Sequence, residues 1–206
     1  FNPVVRSLMT ELQDKEIYSI NITRIGPFPP RINDVGVLVD LSVHDVDLVY
    51  CLTGGLRLIE GRVFKSTKRI GDREDNAVIT MRLEHDVVAN ITTNWLTPFK
   101  KRTVEVATDV AFYSANLMSQ ELIVYSDYTE NDSFVVRHCP VRKGEPLRAE
   151  LAAFLDYVRT GEADGLASLQ DGLRTLETIY RSRHDLHAMT APMEQAGVTA
   201  MSSGFA

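Results

Sequence analysis

From residue 56 to residue 139 the chain repeatedly alternates apolar and polar residues with a period of two. RLIEGRVFKST, NAVITMRLE, VVANITTNWL, RTVEVAT and ELIVYS carry β-branched and aromatic residues on that period, the pattern of a strand with one buried face. NAVITMRLE and VVANITTNW flank His85-Asp86, a hairpin turn, and strands joined by so short a turn pair antiparallel. An earlier strand, EIYSINITRI, ends at Gly26. Helix signals lie around this block, not between its members. Clustered strands without βαβ alternation predict an α+β domain: a mostly antiparallel sheet with helices on one face. The other face is left open. Its alternate positions include Val, Ile, Trp and Tyr, so a second copy of the chain is expected to cover it, giving a homodimer or homotetramer.

The flanking helices have recognisable ends. Asn2 is placed to cap a first helix, Pro3 suits its first position, and Val5, Leu8 and Leu12 give it an apolar face. GPFPPR then forms a proline-stiffened loop after the first strand. Asn33 or Asp34 is expected to cap a helix over about residues 35–53, which Gly54-Gly55 ends. Pro146 opens a third helix with the stripe Leu147, Leu151, Phe154, Leu155 and Val158, and Gly161 stops it. Ser168 and Asp171 form an acidic capping box ahead of Leu169, Leu173, Leu176, Ile179 and Tyr180. Residues 1–187 are thus expected to be a single α+β domain with a lead-in helix over 1–14, followed by an aperiodic tail, 188–206. The sequence opens FNPVVRSL without an initiator methionine and enters a helix at once, so further chain is expected upstream.

Charge and cysteine content narrow the partners. The 206 residues are enough to bury roughly 70% of the unfolded chain's surface, so stability needs neither disulfide nor metal. Acidic residues outnumber basic ones, 28 to 22, which disfavours a nucleic-acid partner. The two cysteines, Cys51 and Cys139, make no C-x-x-C motif and suit a reducing compartment. No apolar run approaches the roughly 18 residues that span a bilayer, and nothing resembles a secretory leader. The expectation is a cytoplasmic protein that binds neither nucleic acid nor membrane.

Chemistry concentrates in DLSVHDVDLVYCL, residues 40–52. Asp40, His44 and Asp47 recur at i, i+4 and i+7, one face of a helix. A carboxylate four residues from an imidazole can accept its N–H, fix its orientation, and leave the other nitrogen to take a proton from a substrate hydroxyl. The alternative is a polar pair that only sets the helix register. His44-Asp45 also resembles the dipeptide of HD-type metal phosphohydrolases, but no histidine precedes His44 to complete a metal site. Arg24 and Arg31 flank the proline loop and suit a phosphate or carboxylate, if they are not simply solvated. NWLTPFKKR sets Trp95 near Lys100, Lys101 and Arg102, a grouping that fits a nucleotide base and its phosphates, although a lone Trp is more often a core anchor. No two glycines are spaced G-x-G, so no dinucleotide or phosphate loop is present.

Four segments, RIGPFPPRINDVGVLVDLSVHDVDLVYCLTG, TTNWLTPFKKR, KGEPLRAELAAFLDYVRTG and SLQDGLRTLE, occur in this order and together resemble the C-terminal domain of Gfo/Idh/MocA (glucose-fructose oxidoreductase / inositol dehydrogenase) enzymes. The proline loop and TNWLTP resemble the UDP-N-acetylglucosamine 3-dehydrogenase branch. The resemblance spans about residues 1–185. It implies a glyceraldehyde-3-phosphate dehydrogenase-like C-terminal fold and an NAD or NADP cofactor held by an N-terminal Rossmann domain. Asp40 and His44 match the family's D-x-x-x-H pair, in which His is the acid/base and Asp orients it or contacts substrate. Arg24, Arg31 and Trp95 are then the expected substrate contacts, and no metal is expected. The family's glycine-rich loop and its E-K-P lysine are absent here, so this chain alone is expected to be inactive. Tyr50 stands where an Arg is common, and ATDVAFYS lacks the glycines usual in the corresponding turn.

Overall fold

A computed structural model describes residues 1–30, 32, 34–69, 71, 73–128, 133–163 and 165–184. The expected tail, 188–206, lies outside them. The elements in order are α1 (Pro3–Glu11), β1 (Ile17–Pro27), a π-helical turn (Leu38–Ser42) running into α2 (Val43–Leu52), β2 (Leu58–Ser66), β3 (Asn76–Leu83), β4 (Val88–Asn94), β5 (Leu96–Thr108), β6 (Ala111–Asn116), β7 (Glu121–Ser126), β8 (Val135–Cys139), α3 (Pro146–Thr160) and α4 (Leu169–His184). The strands make one sheet in the order β2-β3-β4-β1-β5-β6-β7-β8. Its ladders are antiparallel except for the parallel pair β1 and β4. This is the α+β architecture with a mostly antiparallel sheet that the alternation predicts.

The exception positions everything else. After β1 the chain crosses the sheet face through α2, starts again at the far edge with β2, and returns by hairpins to β4 beside β1. It then passes over the end of β1 at Trp95 and descends its other side as β5, so β1 is central and its C-terminal end is enclosed.

The core lies on the helix-covered face. Ile20 and Ile22 of β1, Ile79 and Met81 of β3, Ala89 and Ile91 of β4, Val104 and Val106 of β5 and Leu122 of β7 are buried there. They pack beneath Val4 and Leu8 of α1, Val46 and Val49 of α2, and Ile179 of α4. The Asn2 Oδ1 accepts the Val4 N–H at 3.1 Å, the expected cap, but Val4 rather than Val5 joins Leu8 and Leu12 in the core. The α2 segment has no side-chain cap from Asp34, because it begins at Val37, where the Val37 N–H donates to the Glu74 carbonyl at 3.0 Å. Asn33 lies outside the described residues. Glu145 caps α3, and Ser168 and Asp171 bond reciprocally as the capping box requires. The apolar stripe of α3 is more than half exposed at every position from Leu147 to Val158 named above, so this helix stands off the sheet.

The open face differs from the expectation. Its centre is polar: Thr80 donates to Asn90 at 3.0 Å and Asn90 to Asn21 at 3.3 Å across three neighbouring strands. Trp95 is buried instead of lying on that face. Apolar surface gathers at one end, where Phe112, Tyr125 and Phe134 stack with ring centroids 6.1 and 5.8 Å apart, beside a cleft of about 370 Å³. Two further strands, β6 and β8, come from segments whose alternation is short or diluted by charge.

Candidate functional site

At the C-terminal end of β1, core rows of two strands turn from apolar to basic. Ile20 and Ile22 are followed on the same face by Arg24; Val106 and Val104 are followed by Arg102 and then Lys100. The ladder sets Arg24 directly opposite Arg102. Like charges in that register repel. The start of α2 supplies a counter-charge: Asp45 is fully buried and its carboxylate accepts three hydrogen bonds from Arg24, at 2.6, 2.8 and 2.8 Å. Burial pushes the Asp45 carboxyl above the ordinary carboxylate range against the pull of Arg24. Burial and then the neighbouring Arg24 charge lower the Arg102 guanidinium from its usual value.

A cavity of about 120 Å³ opens here, lined by Arg24, Asp40, Leu41, Trp95, Lys100 and Arg102 among others. Trp95 meets Phe28 of the proline loop edge to face, 5.6 Å between centroids, and the Trp95 backbone N–H donates to the Asp75 carbonyl at 2.9 Å. Asp40 enters from the π-helical turn, and π turns recur at functional sites. Gly36 permits the approach, because a Cβ there would collide with Glu74.

Of the expected residues, Arg24, Asp40 and Trp95 converge on this cavity. His44 is exposed one turn further on and does not line it. No hydrogen bond joins Asp40 to His44: the wider π turn between them departs from the 3.6-residue period that would stack i on i+4. Asp47 turns toward α4, where burial and then the charge of Asp171 raise its carboxyl; the Cys51 thiol lies 4.0 Å from it. Arg31 lies outside the described residues. Lys100 and Arg102, which the sequence groups with Trp95, do line the cavity, whereas Lys101 does not; Asp45, which the sequence singles out only as half of the His-Asp dipeptide, is instead the partner of Arg24. Asp45 sits in the buried series Leu38, Ser42, Asp45, Val49, Leu52, an apolar register interrupted by one charge.

Among the described residues no three His, Cys, Asp or Glu side chains cluster to hold a metal ion, and Asp45 of the His-Asp dipeptide is committed to Arg24. Among the described residues no glycine-rich turn links a strand to a helix N-terminus, and these residues do not fit a dinucleotide cofactor.

In fold and sequence together the chain is similar to the C-terminal domains of oxidoreductases. Residues 16–112 match the model of the GFO/IDH/MocA C-terminal domain. The chain is 28% identical over 102 residues to UDP-N-acetylglucosamine 3-dehydrogenase of Acidithiobacillus ferrooxidans, a match covering 50% of this chain and 32% of the relative. The crystal structure of that enzyme aligns with 88% of this chain and 58% of its own, with a TM-score of 0.78 and 22% identity. Levoglucosan dehydrogenase in complex with NADH and L-sorbose aligns at a TM-score of 0.66 and 15% identity, over 87% of this chain and 60% of its own. The chain therefore spans about three fifths of the length of the solved relatives. No described helix is long and apolar enough to cross a membrane.

Proposed function

We propose that this chain is the substrate-binding part of an NAD(P)-dependent dehydrogenase acting on a hydroxyl of a sugar or nucleotide sugar of the UDP-N-acetylglucosamine type. The observation that carries it is the cavity at the end of β1, where an aromatic wall, a carboxylate and three basic side chains meet. Sugars are bound by such sites through an apolar ring face and polar edges. Asp40 accepts a ligand hydroxyl, Trp95 and Phe28 shape the wall, and Arg24, held by Asp45, fixes the polar rim. His44, exposed one turn beyond Asp40, takes the hydroxyl proton on an imidazole nitrogen as general base. A nicotinamide cofactor, held outside residues 1–206, would supply the hydride acceptor. The reading includes a cytoplasmic location and a homodimer or homotetramer built on the open sheet face, for which the aromatic cleft at Phe112, Tyr125 and Phe134 is the anchor.

Isothermal titration of the chain tests this directly. UDP-N-acetylglucosamine is expected to bind with one site per chain, and NAD not to bind. Absence of heat with the sugar nucleotide refutes the substrate assignment. In the enzyme that carries this chain with its cofactor domain, His44→Ala is expected to cost about 10² to 10⁴ in turnover. Turnover within threefold of wild type removes His44 as the base.

A further inference from the structure

Arg24 and Arg102 face each other across the β1–β5 ladder, yet only Arg24 has an anionic partner. Among the described residues the Arg102 guanidinium makes neither ion pair nor side-chain hydrogen bond, although it is partly buried and lines the cavity. Lys100, two residues along the same face of β5, lines it too and has no anionic partner among the described residues. Its stem passes beside Gly26, where an added Cβ would lie 3.4 Å from the Lys100 Cγ. Asp40 is the one carboxylate on the cavity wall, and it lies within ion-pair distance of neither cation. Three cations thus meet two carboxylates, one of which is consumed behind Arg24. A partly desolvated guanidinium opposite another is costly unless an anion comes to it.

On the basis of the substrate-binding reading above, we propose that Arg102 and Lys100 form a clamp for the diphosphate of the ligand, with the Asp45–Arg24 pair holding the strand end in place. Positions i and i+2 on one strand face are about 6.6 Å apart, a spacing that serves a two-charge group better than a single carboxylate. The Arg fork engages one phosphoryl group bidentately and Lys100 neutralises the next. Asp45 acts through Arg24 and is a positioning residue.

Titration calorimetry on the chain with UDP-N-acetylglucosamine, N-acetylglucosamine and inorganic pyrophosphate tests the clamp. The sugar nucleotide is expected to bind at least about tenfold more tightly than the free sugar. Arg102→Gln and Lys100→Gln should each weaken sugar nucleotide and pyrophosphate by about 10- to 100-fold and leave the free sugar unchanged. Both variants alter side chains outside the packed core, and melting curves matching wild type confirm that they fold. If both sugars bind and neither variant changes affinity by more than twofold, the clamp is overturned while the sugar cavity stands. If pyrophosphate binds through Arg102 but the sugar nucleotide does not bind, the clamp stands and the substrate assignment falls. Tighter, Arg102-dependent binding of N-acetylglucosaminuronate than of the sugar nucleotide overturns the diphosphate assignment in favour of a carboxylate.

Discussion

Removing the Asp45 carboxylate should leave a largely buried positive charge without its partner. The side chain is fully buried and Arg24 is only 12% exposed, so Asp45→Ala leaves a guanidinium in a largely dry site with three donated hydrogen bonds gone. Breaking one side of such a pair costs about 3–5 kcal/mol. For a domain of this size each kcal/mol moves the melting temperature by about 2–4 °C, giving an expected drop of about 6 to 20 °C. The double variant Arg24→Met, Asp45→Leu removes both charges at similar volume and should recover most of the loss. The pH dependence carries its own sign. Burial raises the Asp45 carboxyl above its unfolded value, so the folded state holds this proton more tightly. Its contribution therefore favours the fold at low pH and declines as pH rises from about 3.9 through the raised value. Asp45→Asn should abolish that decline. Urea titrations at pH 7 and thermal melts between pH 4 and 8 measure both effects. A loss below about 1 kcal/mol for Asp45→Ala, or a double variant no more stable than the single, would refute the view that this ion pair is structural.

Three further changes test single contacts elsewhere in the fold. Trp95→Ala removes a buried side chain packed on Phe28 and should cost about 3–5 kcal/mol, read by urea unfolding; a loss under 1 kcal/mol would mean the ring is not a core anchor. A Cβ at Gly61 would collide with the Ser182 Oγ, so Gly61→Ala should displace α4 and cost about 1–3 kcal/mol, with faster hydrogen exchange in α4 as its mark. Hydrogen bonding from Arg137 lowers the Glu11 carboxyl, so its contribution is present above the ordinary glutamate value and lost as pH falls through the lowered one. Glu11→Gln should flatten the melting profile between about pH 5 and 3, and an unchanged slope would show that the pair contributes nothing.

The period-two block announced the sheet because burial on one face imposes that period on every strand that has it. β3, β4 and the inner half of β5 are legible for this reason. β8 was not, since it is an edge strand with exposed positions on both faces, as its sequence VVRHC shows. The parallel pairing of β1 with β4 was also invisible, because it depends on where the α2 crossover lands and not on any residue pattern in the strands themselves. The first helix buries Val4 where its sequence pattern predicts Val5, because the two neighbours are equally apolar and only the docked geometry chooses between them.

The spacing of Asp40, His44 and Asp47 predicts one face of a helix, but each member goes elsewhere: into the cavity, into solvent, and toward α4. The cause is the π-helical turn, a backbone choice fixed by the Val37 to Glu74 hydrogen bond and the close approach at Gly36, both set by a loop more than thirty residues away in sequence. The better guide to the site was a different kind of irregularity. Charged residues stand where an apolar row should continue: Asp45 in the buried series of α2, Arg24 after Ile20 and Ile22, Arg102 after Val106 and Val104. Three interruptions of three separate apolar rows meet at one point in space. A fold retains such charges only where they satisfy one another or something that binds, and here two of the three satisfy one another. The third, Arg102, has no anionic partner among the described residues, and this is the ground for the proposed clamp.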